Sequence, residues 1–286
     1  MKKKLISLGL ALGLLVSMTA CGTSGDASAS AEPSATGEPV TLYVSAAASM
    51  TESLDEVIAN YTAENPNVTI TPTYDSSGTL LTQIQAGADC DIFISAAQKQ
   101  MNAIDETATE GYEGTNYVAQ GTRVDLLQNK CALIVSPTTT KTIASWSDFE
   151  TAIKSAQSAS DLTFCMGNAD VPVGQYTSAI LTNLGLNEAD MVAKGIVSYG
   201  TNVKEVTSQV STGAADCGIV YATDAYSAGL DIVDTASDEL VGKKVIYPAA
   251  VMANSANQEA AQAFLDYLQT DDAMAVFEKV GFTKIA

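Results

Sequence analysis

Residues 41–74 read TLYVSAAASMTESLDEVIANYTAENPNVTITPTY, and the change of rhythm within them decides the fold class. Thr41–Ser45 is a short β-rich run. Small residues follow at Ala46-Ala47-Ala48-Ser49, and then Leu54, Val57, Ile58 and Tyr61 recur at i, i+3, i+4 and i+7, the spacing of one helical face. Val68–Tyr74 returns to β-rich composition. Such alternation is the signature of α/β layering.

The same alternation continues along the chain. Further strands are expected at Asp91–Ser95, Cys131–Ser136, Leu162–Met166, Ile196–Tyr199, Gly218–Tyr221 and Val245–Met252. Helices are expected after Ser77 (Leu80, Leu81, Ile84), through Tyr176, Ile180 and Leu184, through Val203, Val206 and Val210, and over Gln258–Lys279. A faint internal echo pairs Ala88-Asp89-Cys90-Asp91-Ile92-Phe93 with Ala215-Asp216-Cys217-Gly218-Ile219-Val220. Two lobes of similar build would produce it, and so would chance in a chain rich in Ala and Asp.

Composition removes several functions. The 286 residues include no histidine, which excludes Ser-His-Asp and Cys-His catalysis and any zinc site built on imidazole. A net charge of −19 argues against nucleic acid, which needs a basic face. Arg123 is the only arginine, so bidentate guanidinium clamps are nearly absent. The remaining chemistry belongs to hydroxyls, amides, carboxylates and lysines.

The N-terminus reads as an address. Met1-Lys2-Lys3-Lys4 precedes an apolar run from Leu5 to Ser17, too short for a membrane span of about 20 residues and suited to a secretory signal over residues 1–20. Met18-Thr19-Ala20-Cys21 resembles the bacterial lipobox, which implies a diacylglyceryl group on Cys21 and an anchor in the outer face of the cell membrane. Gly22–Pro39 is Gly, Ala, Ser, Thr or Pro at all but three positions and reads, with Cys21, as a flexible tether over 21–39, with a reach of about 23 Å. Export permits disulfides among Cys90, Cys131, Cys165 and Cys217. Each sits in or beside an apolar run, however, so buried free thiols are expected, and the absence of a CxxC spacing argues against a metal cluster.

Four helix starts carry the functional signal: Ala46–Ser49, Ser76–Thr79, Val171–Gly174 and Gly200–Val203. Ser49 with Glu52 forms a possible capping box. At each start backbone N–H groups are unpaired and the helix dipole is positive. Caps alone account for such residues one at a time, whereas convergence of several starts would hold an anion. Spacing does not show convergence.

Several stretches together carry a resemblance. AAASM (46–50), SSGTL (76–80), GADCDIFISA (87–96), NADVPVGQY (168–176), GIVYATDA (218–225), IYPAAVM (246–252) and FEKVGF (277–282) resemble, in order and spacing, the molybdate-binding proteins of bacterial ABC importers. The resemblance covers nearly all of residues 40–286. It implies a periplasmic-binding-protein-like α/β fold of the second type, with two lobes, each a mixed sheet flanked by helices, and crossover strands with a ligand cleft between. One lobe would take 40–126 plus 246–286 and the other 127–245. It implies that Ser49 and Ser77 offer hydroxyl and backbone N–H, Val173 and Val203 backbone N–H, and Tyr221 its phenol, to molybdate or tungstate. The metal would enter as its oxyanion, with no direct ligands from the protein and no cofactor, and a monomer would pass it to a membrane permease by closing and opening about a hinge.

The family commonly has serine where Gly78 stands, which implies a looser loop here. Asp75 adds a negative charge two residues before Ser77 and is expected to point outward or to cap. Molybdate and tungstate are acceptors only, so a site of pure donors satisfies them, whereas protonated phosphate leaves a proton unpaired at a cost of about 1–3 kcal/mol. Sulfate matches in charge and shape, leaving cavity size to separate it. Another tetrahedral oxyanion such as sulfate or phosphate is thus the alternative ligand. A serine hydrolase lacks both histidine and a G-x-S-x-G elbow, and a scaffold lipoprotein would need no small ligand.

Overall fold

The computed structural model describes residues 37–285. The expected signal peptide, Cys21 and most of the tether lie outside the described residues. The strands are β1 (Val40–Ala47), β2 (Val68–Asp75), β3 (Ile92–Ile94), β4 (Val124–Asn129), β5 (Cys131–Val135), β6 (Phe164–Gly167), β7 (Val197–Gly200), β8 (Cys217–Tyr221), β9 (Ile232–Thr235), β10 (Val245–Val251) and β11 (Thr283–Lys284). The helices are α1 (Thr51–Glu64), α2 (Ser77–Gln85), α3 (Gln98–Ala103), α4 (Trp146–Ser155), α5 (Pro172–Asn183), α6 (Glu188–Ala193), α7 (Val203–Ser211), α8 (Ala222–Ser227), α9 (Asp238–Val241), α10 (Gln258–Tyr267) and α11 (Asp271–Lys279).

They build two mixed sheets, ordered β11-β4-β10-β3-β1-β2 and β7-β6-β8-β5-β9. In the first, β2, β1 and β3 run parallel and β10 is antiparallel to both β3 and β4. In the second, β7, β6 and β8 run parallel and β5 is antiparallel to both β8 and β9. The five-strand pattern is the same in both. The internal echo falls on β3 and β8, which hold equivalent places between a parallel and an antiparallel neighbour. The chain leaves the first sheet after Asn129, enters the second at Cys131, and returns between Thr235 and Val245.

Both faces of the first sheet are covered. Ile92 and Ile94 enter the main core with Leu54, Val57 and Phe264, whereas Phe93 points the other way to Leu80, Ile84, Met101 and Met252, as the two-residue period of a strand requires. Tyr61 of α1 meets Phe264 and Tyr267 of α10 at ring-centroid distances of 4.9 and 5.0 Å. Each large apolar side chain buried in this way contributes about 1.5–3 kcal/mol.

Two expectations change. The single helix over Gln258–Lys279 is two, because Thr270 accepts from the Ala273 N–H and starts α11 with Asp271 and Asp272 in its first turn, a strong N-terminal signal inside a continuous apolar stripe. The strands β4, β9 and β11 were not expected; in β4 Asp125 and Gln128 interrupt the apolar run, and its pairing with β10 supplies what its composition does not. Among the described residues the four cysteines, Cys90, Cys131, Cys165 and Cys217, are free and buried.

Candidate functional site

The four helix starts follow the carboxyl ends of β1, β2, β6 and β7, the edge at which open α/β sheets gather ligands. They meet in one small cavity of about 10 Å³, on the order of the space needed by one buried water. Ser49, Ser77, Val173, Val203 and Tyr221 all line it, with Ala96 and Pro172 closing its walls. The structure therefore brings together all five residues singled out from the sequence, from both sheets. Each is buried, with at most 4% of its surface exposed.

Local bonding defines what these starts can offer. Ser76 caps α2, its Oγ accepting from the Thr79 N–H, and Asn202 caps α7 by accepting from the Glu205 N–H. The other two starts have no side-chain cap: Ala47 precedes the 3-10 turn Ala48–Met50, and Val171 precedes α5. Pro172 at the first position of α5 removes one amide that would need a partner. A buried helix end without a cap calls for another acceptor, and the cavity lies there. Gly174 allows the approach, because a Cβ at that position would collide with the carbonyl oxygens of Gly167 and Asn168 at the end of β6.

The capping box expected at Ser49 and Glu52 does not form. Ser49 lies inside the 3-10 turn, its Oγ 2.8 Å from the Tyr247 phenol, and Glu52 turns across to Lys204. The Ser77 hydroxyl accepts from the Ala96 N–H at 2.9 Å, which leaves its own proton to donate. The Tyr221 phenol is fully buried with no hydrogen-bond partner. Burial pushes its pKa up, so it remains a protonated donor. It stands in a row of edge-to-face rings, 6.3 Å from Tyr176 and 5.7 Å from Tyr247, which holds its orientation.

Among the described residues no lysine or arginine lines the cavity, and Asp75 is its one carboxylate. Asp75 behaves as a local cap: its Oδ1 accepts from the Ser76 N–H at 2.7 Å and from the Asn202 side-chain amide at 3.5 Å. Positive character therefore comes from helix ends and hydroxyl protons, which suits an anion that only accepts. A larger cleft of about 680 Å³ carries Asp105, Glu106, Glu110 and Asp125 on its walls, the wrong charge for the same guest. Among the described residues no three His, Cys, Asp or Glu side chains gather as a metal site.

Reasoning from sequence missed Tyr247, Asn129, Lys204 and Asp224. Lys204 Nζ reaches both carboxylate oxygens of Glu52 across the cleft, at 2.7 and 2.8 Å, and lies 3.4 Å from the buried Asp224. IYPAAVM contains Tyr247, but nothing local distinguishes it from a core tyrosine.

Two mixed sheets exchanged by crossing segments, with a cavity of hydroxyl groups and helix starts where their helix ends meet, define a two-lobed binding protein of the periplasmic type. The description "Bacterial extracellular solute-binding protein" fits residues 42–283, and the chain belongs to that family. It is 35% identical over 245 residues to the putative ABC transporter substrate-binding lipoprotein YvgL of Bacillus subtilis, covering 85% of this chain and 86% of that protein. It is 31% identical over 248 residues to the molybdate-binding protein ModA of Escherichia coli, covering 85% and 88%. Among solved structures, the substrate-binding domain of a putative molybdenum ABC transporter from Clostridium difficile superposes with a TM-score of 0.62 at 32% identity, over 86% of this chain and 100% of that one.

Proposed function

We propose that this protein captures molybdate or tungstate outside the cell membrane and delivers it to the permease of an ABC importer, as a monomer held to the membrane by a lipidated Cys21. It requires no cofactor and performs no catalysis. The observation that carries the reading is the Tyr221 phenol, buried without a partner in a cavity lined by serine hydroxyls and helix starts and free of cationic side chains. An unpartnered buried hydroxyl costs about 1–3 kcal/mol, and a dianionic acceptor among the helix starts relieves it. Two relatives, one named as a molybdate-binding protein and the other as a substrate-binding lipoprotein, support the same ligand and the same anchor.

The test is a titration of purified protein with molybdate, tungstate, sulfate and phosphate, read by calorimetry and thermal shift. A ligand at 100 times its Kd stabilises by about 2.7 kcal/mol, so a clear rise in Tm with molybdate or tungstate is expected. Indifference to all four would end the proposal, and a preference for sulfate would move the ligand to the alternative oxyanion.

A further inference from the structure

Tyr247 and Asn129 lie behind the cavity and line none of it, yet they are joined to its wall. Asn129 is the last residue of β4, where the chain leaves the first sheet, and Tyr247 is on β10, where the chain has returned. The Asn129 Oδ1 accepts from the Lys130 N–H at 2.8 Å, which settles which way the amide faces. Its Nδ2 then donates to Thr223 Oγ1 at 2.9 Å and to the Tyr247 phenol oxygen at 3.2 Å. The phenol in turn lies 2.8 Å from Ser49 Oγ.

Counting protons gives this chain a direction. Tyr247 is fully buried, its oxygen already accepts from Asn129, and among the described residues Ser49 is the one acceptor within reach of its own proton. If Ser49 donated to Tyr247, the phenol proton would be buried with no partner, at a cost of about 1–3 kcal/mol. If Tyr247 donates, the serine proton is left over, and Ser49 faces the cavity. From this geometry we propose that Tyr247, oriented by Asn129, is a positioning residue that makes Ser49 an obligate donor and so sets the site against anions that carry a proton. Burial raises the Tyr247 pKa, so the phenol keeps its proton throughout the working range. The Ala96 N–H does the same for Ser77. The inference deepens the oxyanion reading and rests on it for its consequence, whereas the direction of the hydrogen bond stands apart from ligand identity.

The experiment has two arms. A neutron structure of the deuterated full-length protein reads the direction with no ligand present. Deuterium on Tyr247 lying toward Ser49, with the Ser49 deuterium turned to the cavity, is expected; the reverse overturns the proposal. A double-mutant cycle then reads the consequence with sodium molybdate and sodium phosphate. Tyr247→Phe should weaken molybdate binding about two- to tenfold and narrow the preference for molybdate over hydrogen phosphate, with no further loss in a Ser49→Ala background. Equal losses in both backgrounds mean that Tyr247 acts through packing, and the proposal falls. Asn129→Ala, which removes the amide that orients the phenol, gives the same cycle should Tyr247→Phe not fold. Wild-type protein that binds neither anion would overturn the oxyanion reading, while the neutron arm still judges the direction.

Discussion

Gly78, in the first turn of α2, faces the backbone carbonyl of Asp170 so closely that a Cβ at position 78 would collide with its oxygen. The two residues belong to helix starts of different sheets. The serine common at this position in the resembled family would therefore obstruct the arrangement seen here, and the glycine serves a close approach between lobes rather than a loose loop. Gly78→Ala should resist closure: ligand affinity falls at least about tenfold if the clash costs 1.4 kcal/mol or more, while the Tm of the ligand-free protein changes little. Calorimetry and thermal shift check both parts.

The serine donors give a sharper expectation. Ser49→Ala and Ser77→Ala each remove a hydroxyl that donates to a charged acceptor, worth about 1.5–3 kcal/mol, or on the order of 10- to 150-fold in Kd. Val173→Ala leaves its backbone N–H in place and should change affinity by less than about threefold, on the view that energetically neutral neighbours only complete a contact. Unchanged affinity in both serine variants, measured by titration calorimetry, would move the site elsewhere.

Asp224 supplies a pH dependence. Burial pushes its carboxyl up to about 7 from an ordinary 3.8, with Lys204 pulling the other way. The folded state thus keeps a proton that the unfolded chain releases, so this group's contribution to stability is complete below about pH 4 and is lost as pH rises through about 7. Asp224→Asn should lose that dependence: its Tm relative to wild type should climb steadily between pH 5 and pH 8. A constant difference across that range would show that Asp224 is ionised throughout.

The cysteines should be silent. Cys90, Cys131, Cys165 and Cys217 are free and buried, and burial raises every one of their pKa values, that of Cys90 to about 11. The thiolate is the reactive form, so thiol reagents at pH 7.5 should label none of the four in native protein and all four in denaturant.

Much of the frame was legible because its signals are local. The period of Leu54, Val57, Ile58 and Tyr61 yields α1, and the β-rich runs on either side are β1 and β2. Where local signals conflicted, reading failed: the apolar stripe from Ala261 to Phe277 hid the break at Thr270, and the polar residues of β4 hid a strand that β10 completes. The candidate site was reached only in part. Serine at a helix start looks the same whether its hydroxyl caps the helix, as that of Ser76 does, or is left with a proton to donate, as that of Ser77 is.

By itself the sequence determined the alternation of strands and helices, the exclusion of histidine chemistry, and the four helix starts that could hold an anion. Each follows from composition or from contacts within a few residues. Only the tertiary structure decided that those starts share one cavity, that Gly78 lies under Asp170, and that the Ser49 hydroxyl meets a phenol 198 positions away. A hydrogen bond is met within about 3 Å, and no local pattern constrains that distance between groups far apart in the chain. The pairing of β10 back into the first sheet does.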